Sequence, residues 1–510
     1  MPMMPNTSFI LLTALSLSVG WGIRGNFGHE YGAMIAGALA AMAACLLSGR
    51  ADWQRRVAYF ACFGALGWSF GGSMSYGHVI AYTHSGDLPS VTYGFASLFV
   101  IGFLWGAMGG AGTALPACLD RDRLTQFFVP LIVLFVAWTV QDVVVARLET
   151  VLPARRHESW FYWHDTDWVA ALVAIVVMLG LAAVRRRLCS ASSLILHMAI
   201  GWWVGFGVLV LGLDWHMTPP RSDSWAGALG MTVGLVVYLL RHDLKAMLFA
   251  TLVSGFVGGL GFSLAVCIKL AAMNRGWQTN WHSVMEQTYG FINGLGIAVA
   301  MGYLAVRLPR VTDERPVRRW TDAAAVFFVL IVITYVNLVK NAEEWVKQGS
   351  FPETMYGLGA ETWFNFAYLL LAGAAIWLLW RHLCDPLPLV PAPWLGKGQL
   401  LYIAFLWWMV VGNFERALSA FQNQRLITEG VIFANAVVCT VLLLVCRGRP
   451  AGPAVGSATG AGACFSIRGL FGLAIIGLAG TVIAVLAETG IVRGLYGDAP
   501  AQGGKVGSSD

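Results

Sequence analysis

The sequence predicts an all-α, polytopic membrane protein of about fifteen transmembrane helices. They are expected as two parallel six-helix repeats followed by about three further helices. Three observations carry this. The 510 residues are 57% hydrophobic and only 12% charged. Apolar stretches of bilayer length follow one another closely, and a spanning helix needs about 20 residues. Short segments also recur at a near-constant offset. Val184-Arg185-Arg186-Arg187-Leu188-Cys189 returns as Leu379-Trp380-Arg381-His382-Leu383-Cys384, and Tyr93-Gly94-Phe95 returns as Tyr289-Gly290-Phe291. Asp142 falls opposite Asn337, Glu149 opposite Glu344 and Trp168 opposite Trp363, each 195 positions on.

The first repeat (1–190) holds candidate spans 8–24, 31–49, 57–78, 93–115, 125–146 and 168–184. The second (191–385) holds 194–213, 225–240, 246–270, 285–306, 322–340 and 363–380. Spans 399–414, 428–446 and 466–487 have no counterpart and form a C-terminal addition (386–498). Six spans per unit is an even number, so both units enter from one side and are parallel rather than inverted. The first span lacks a basic leader region and is expected to be a retained helix, not a signal peptide. The Gly/Ala/Pro-rich stretch 450–462 reads as a linker, and the polar tail 499–510 as disordered. Gly102, Gly106 and Gly110 repeat every four residues, as do Gly290, Gly294, Ala298 and Gly302. Such small-residue stripes let helices approach closely in lipid.

Arg and Lys set the orientation. With the N-terminus in the cytoplasm, basic residues favour the inner loops roughly twofold, among them Arg50, Arg55, Arg56, Arg121, Arg123 and Arg185–Arg187. These loops read as basic anchors. The expected location is a bacterial-type inner (plasma) membrane. No cysteine falls in an outer loop, so no disulfide framework is expected. The net charge of +6 follows from the inner loops and calls for no nucleic-acid partner.

The outer side gathers the unusual polar residues, including His29, His78, His84, His157, His164, His216 and His282. The densest segment is the turn Gly20–Gly32, where glycines flank Arg24, Asn26 and the pair His29-Glu30. Glycine gives such a turn freedom to unwind at the membrane edge. An arginine there suits a carboxylate, sulfate or phosphate, and a His–Glu pair suits proton relay. The bland alternative is a Gly-rich hairpin closed by an Arg24–Glu30 ion pair. The hydroxyl-rich end of the third span, with Tyr76 and His78, is a candidate cavity lining. Its counterpart in the second repeat carries Trp281, His282 and Glu286. Aromatic faces beside acid and base groups suit a sugar-like solute. Asp142, opposite Asn337, is a candidate proton carrier in one half only. No HExxH or CxxC pattern occurs, so no metal or other cofactor is called for.

The parallel six-helix layout resembles the major facilitator transporters. The loop Gly49-Arg50-Ala51-Asp52-Trp53-Gln54-Arg55-Arg56 looks like a shortened form of that family's Gly/Asp/Arg-rich loop. The resemblance implies a secondary transporter whose halves rock about a central site. The expected function is therefore transport of a small polar solute, anionic or sugar-like, with a proton as candidate coupling ion and the lipid bilayer as surroundings. Arg24, Asn26, His29, Glu30, Tyr76, His78, Asp142, Trp281, His282 and Glu286 are the candidate solute-binding residues, with none assigned as catalytic. The alternative is a membrane enzyme with an external site, a glycosyl- or acyltransferase on a lipid-linked substrate. A sensor or assembly scaffold is a third class.

Overall fold

The computed structural model describes residues 6–71, 74, 76–151, 167–217, 223–310, 319–384, 396–419, 423–446 and 465–497. These residues fold as α-helices with one small antiparallel hairpin, Thr354–Met355 on Leu358–Gly359. The helices are α1 (Thr7–Phe27), α2 (His29–Leu46), α3 (Ala51–Gln54), α4 (Val57–Ser69), α5 (Gly77–Tyr82), α6 (Leu88–Cys118), α7 (Arg121–Thr125), α8 (Phe128–Val151) and α9 (Asp167–Arg185). They continue as α10 (Ser190–Phe206), α11 (Ser224–Arg241), α12 (Lys245–Asn274), α13 (Trp281–Arg307), α14 (Arg319–Phe327), α15 (Thr334–Lys347), α16 (Ala360–Cys384), α17 (Lys397–Ser419), α18 (Asn423–Val445) and α19 (Ile467–Tyr496). Single π-helical turns, Gly207–Gly212 and Phe328–Ile333, extend α10 and join α14 to α15.

Among the described residues, twelve helical segments are long and apolar enough to cross a bilayer. The chain is thus a polytopic helical membrane protein. Each of the fifteen predicted stretches meets a helix, but three fall outside those twelve: α4, α16 and α17. The third stretch also departs from expectation. α4 stops at Ser69, and the chain reaches Tyr76 before α5 begins. The linker 450–462 and the tail 499–510 lie outside the described residues.

The centre of the molecule is an interleaving of early and late helices. α1 packs along α2 and α13, α6 along α12, and α4 between α2 and α6. These contacts are backbone-close. A Cβ on Gly106 would come within 2.2 Å of the Ser254 carbonyl oxygen, and one on Gly102 within 2.4 Å of the Gly258 oxygen. The expected glycine stripe on α6 is therefore the α6–α12 contact line. The stripe on α13 does the same for α1, with Gly294 set against the Ala14 backbone. Around this centre, α8, α9, α16 and α19 expose Val136, Val176, Leu370 and Ile483, the apolar outer surface that a bilayer requires. The C-terminal helices also join the centre: α18 packs on α1, and α17 on α2 and α15.

At the end carrying Arg50, Arg56 and Arg121, the reading of the loops as plain basic anchors is overturned for Arg50 and Arg56. Both are buried. Arg50 is forked onto Asp52 (2.8 and 2.5 Å) and donates to the Ala305, Leu308 and Pro309 carbonyls at 3.1, 2.7 and 2.8 Å. Arg56 donates to the Pro116 and Leu119 carbonyls at 2.6 and 2.7 Å. Helix C-termini leave their last carbonyls without partners and carry partial negative charge. These two arginines therefore cap α13 and α6.

Backbone-close packing predicts a sharp contrast between glycines. Gly106→Ala should lower stability by about 1–3 kcal/mol through forced separation of α6 and α12. Gly180→Ala, with nothing within 4 Å of the added methyl, should be neutral or slightly stabilising. Thermal unfolding of the detergent-solubilised protein reads both.

Candidate functional site

The C-terminal turn of α1 is helical through Phe27, and the chain breaks only at Gly28, whose φ is +95°. A side chain there would be strained, and its Cβ would meet the Lys340 ammonium at 3.5 Å. Arg24 is therefore not on an unwound turn as expected. It sits inside the last turn of α1 and points into the protein, with 1% of its side chain exposed.

Its partner is not Glu30. Arg24 Nη1 donates to Glu286 Oε1 of α13 at 2.9 Å and to the Tyr76 hydroxyl at 2.8 Å. Tyr76 in turn donates to Glu286 Oε1. Arg24 Nη2 bonds His29 Nδ1 at the start of α2. Because arginine can only donate, that ring nitrogen must accept, which leaves the His29 proton on Nε2. His282, one helical turn before Glu286, places Nε2 at 3.4 Å from Oε1. Five of the residues singled out from sequence thus converge on one cluster: Arg24, His29, Tyr76, His282 and Glu286.

The floor and walls are aromatic. The Arg24 guanidinium carbon lies 5.0 Å from the Trp105 ring centre, 5.3 Å from Trp21 and 5.4 Å from Tyr76. Desolvated cation–π contacts of this kind are worth about 2 kcal/mol each. Trp21 also meets Trp68, Trp105 and Tyr289 edge-on at 5.2, 5.2 and 4.8 Å. Tyr289 accepts a hydrogen bond from Asn293 Nδ2 at 3.0 Å. Sequence reasoning missed Trp21, Trp105, Tyr289 and Asn293 as site residues. The signal was available: His282, Glu286, Tyr289 and Asn293 follow helical spacing and form one polar face on an otherwise apolar span.

Above this floor the site is open. Gly25, His29, Gly77 and His282 are exposed. Within it, Glu286 Oε2 and Arg24 Nε are buried without a hydrogen-bond partner among the described residues. Unpaired polar atoms this deep are costly, and functional sites are where such atoms are kept.

The remaining candidates lie elsewhere. Asn26 faces the other side of α1 and donates to Asn413 Oδ1 at 2.6 Å, while Asn413 donates to Glu429 Oε2 at 2.5 Å. Lys340 donates to the Phe27 carbonyl at 2.5 Å, capping α1. Glu30 is exposed and edges an apolar cavity of about 230 Å³ lined by Phe63, Leu66, Met108, Leu131 and Leu235. Trp281 is half-buried and donates to the Trp277 carbonyl at 2.9 Å. His78 is exposed on α5, outside the bonded cluster. Asp142 is exposed on α8, whereas its counterpart Asn337 is fully buried and donates to the Tyr31 and Ile333 carbonyls. His157 and His164 lie outside the described residues. No group of three or more His, Cys, Asp or Glu side chains suited to a metal occurs among the described residues. Comparison with known proteins returned no matching family model, no matching curated protein and no matching solved structure.

His216 belongs to a separate loop, where its two ring nitrogens lie 2.9 Å from Asp223 and from Asp214. Hydrogen bonds to these carboxylates raise its pKa above the ordinary histidine value. A raised folded-state value stabilises the loop below the unfolded pKa, and that support is lost as pH rises through the folded value.

Two outcomes follow. The protection of amides over 213–217, taken relative to their intrinsic base-catalysed exchange rate, should fall as pH rises above the ordinary histidine range, and His216→Asn should abolish that fall. At the main site, Glu286→Leu or Arg24→Leu alone should each cost about 3–5 kcal/mol by stranding a buried charge. The double variant should cost much less than the sum, as a double-mutant unfolding cycle would report.

Proposed function

We propose that this protein is a secondary transporter of a small polar solute, anionic or sugar-like, and that the Arg24–Glu286 cluster is its binding site. The observation that carries this reading is a charged pair buried at the junction of α1, α2 and α13, under an opening edged by His29 and His282. Charges within a membrane domain are expensive and are retained where they handle a solute or ion. The guanidinium offers a planar donor set suited to a carboxylate, phosphate or vicinal hydroxyls. Glu286 Oε1 occupies the position an anionic solute would take. Entry of such a solute displaces that carboxylate, which then takes up a proton or turns to His282. The exchange links solute and proton without leaving either charge uncompensated.

The sequence recurrence supports two halves moving as in the major facilitator transporters, with the N-terminus in the cytoplasm and the histidine-bearing end outside. On that arrangement the site is open outward.

One observation favours a second reading. The apolar cavity beside α4, α6 and α8–α11, with Glu30 at its edge, would hold the chain of a lipid-linked substrate, as a membrane transferase requires.

Reconstituted liposomes separate the two. Uptake of the transported solute should fall at least ~100-fold in Glu286→Gln and Arg24→Gln, a loss of about 2.7 kcal/mol or more. Glu30→Gln should leave it within about threefold, by the same conversion under 1 kcal/mol. Flux indifferent to Arg24 and Glu286 would refute the site. Absence of flux for every solute, with turnover of a lipid-linked donor that depends on Glu30, would establish the transferase.

A further inference from the structure

Another buried carboxyl stands outside the bonded Arg24 cluster. Glu488 is on α19, the last helix, whose outer face is almost wholly apolar and exposed. Its own side chain is 3% exposed and shares the buried face of α19 with Val485, Thr489 and Val492. It stands eight residues before Tyr496, about 12 Å of helix from that end. α19 packs against α12 and α6.

The groups around it are few. α6 carries no Asp, Glu, Lys, Arg or His along Leu88–Cys118. α12 presents Ser263 and, one turn on, the buried thiol of Cys267. Lys269 of α12 lies toward Glu286 and His84 instead. On α19 itself, Arg493 is about 7.5 Å of rise further on and lines a small pocket with His84, and the Tyr496 hydroxyl donates to the Leu270 carbonyl. Among the described residues no cation is in ion-pair contact with Glu488.

The hydrogen-bond accounting indicates what form the group takes. Ser263 Oγ lies 3.0 Å from Glu488 Oε1 and 3.2 Å from the Leu260 carbonyl oxygen. A serine hydroxyl has a single hydrogen and cannot serve both acceptors. A neutral Glu488 acid donates its own O–H to Ser263 Oγ, which frees the serine hydrogen for Leu260. Leu260 also accepts the α12 backbone N–H four residues on, so its need does not decide the form. Oε2 does: it is buried without a hydrogen-bond partner among the described residues, and an ionised carboxylate so placed, with no cation in contact, is costly.

We propose that Glu488 is an intramembrane proton-binding site, holding its proton against Ser263 at the α12–α19 interface. Its role as a second coupling group, beside Glu286, rests on the transporter reading above; the proton site itself does not. Movement of α19 against α12 is the event that would release or load the proton, because it separates Glu488 from Ser263.

Infrared difference spectroscopy of the full-length protein in lipid, parent minus Glu488→Gln, tests this at about pH 7, well above the ordinary carboxyl range. The expected result is the carbonyl stretch of one neutral carboxylic acid, present in the parent and lost in the variant. Ser263→Ala, which retains the acid should Glu488→Gln misfold, should shift that band to higher frequency. Absence of the band in the parent, or a band unmoved by either substitution, would overturn the proposal. Proton uptake accompanying solute entry, measured in the same liposomes, should be smaller in Glu488→Gln than in the parent. If the band is present but no solute moves protons, the transporter reading fails and the proton site stands. If solute flux is intact and the band is absent, the reverse holds.

Discussion

The ion pair between Arg24 and Glu286 constrains everything around it. The two residues are 262 positions apart, yet each is 1% exposed and they meet at 2.9 Å. A pair this deep is sustained by further partners close to both charges, and among the described residues only Glu286 Oε2 and Arg24 Nε of the pair are left unmet. Tyr76 supplies a hydroxyl to the carboxylate, His29 supplies a lone pair to the guanidinium, and three aromatic faces surround the cation. These groups come from α1, α2, α6 and the stretch before α5. Holding one charge pair therefore fixes the relative placement of α1, α2, α13 and the stretch before α5.

That placement depends in turn on small residues. α1 lies close enough to α13 for Arg24 to reach Glu286 because Gly290 and Gly294 face Trp21, Leu17 and Ala14 across the contact. The wall formed by Trp105 is set by the α6–α12 contact, where Gly102 and Gly106 face carbonyl oxygens. At the opposite end, Arg50 and Arg56 cap α13 and α6, the two helices that carry Glu286 and Trp105. Scaffold and site are thus the same set of helices, anchored at one end by capping arginines and opened at the other by Gly28.

Membrane character was legible from composition, and helix positions from apolar run length. The cluster was partly legible as well, since Arg24, His29, His282 and Glu286 are polar residues adjoining apolar spans where polarity is costly. What the chain alone could not convey was pairing. Glu30 is nearer in sequence to Arg24, but it lies on another face of α2 and edges an apolar cavity. Arg50 and Arg56 look like any basic loop residues, because carbonyls 255 and 60 residues away leave no mark on the local sequence. The glycine- and hydroxyl-rich sequence after Ser69 did carry the mark of a break, but it also reads as cavity lining within the span. Asn413 and Glu429 looked like an outer turn of a C-terminal addition, yet α17 and α18 bring them against Asn26. In the other cases the missing information is a long-range contact, which periodicity does not encode.

The central claim is that the buried guanidinium of Arg24 is the group a solute engages, by exchange with Glu286. The most direct measurement is nuclear magnetic resonance of arginine side-chain N–H groups in isotopically labelled protein during solute titration. Arg50 and Arg56, equally buried but committed to helix caps, serve as internal references. The account predicts that the Arg24 resonance moves with solute while those of Arg50 and Arg56 stay fixed. An Arg24 resonance unmoved by a solute that the protein demonstrably transports would contradict it.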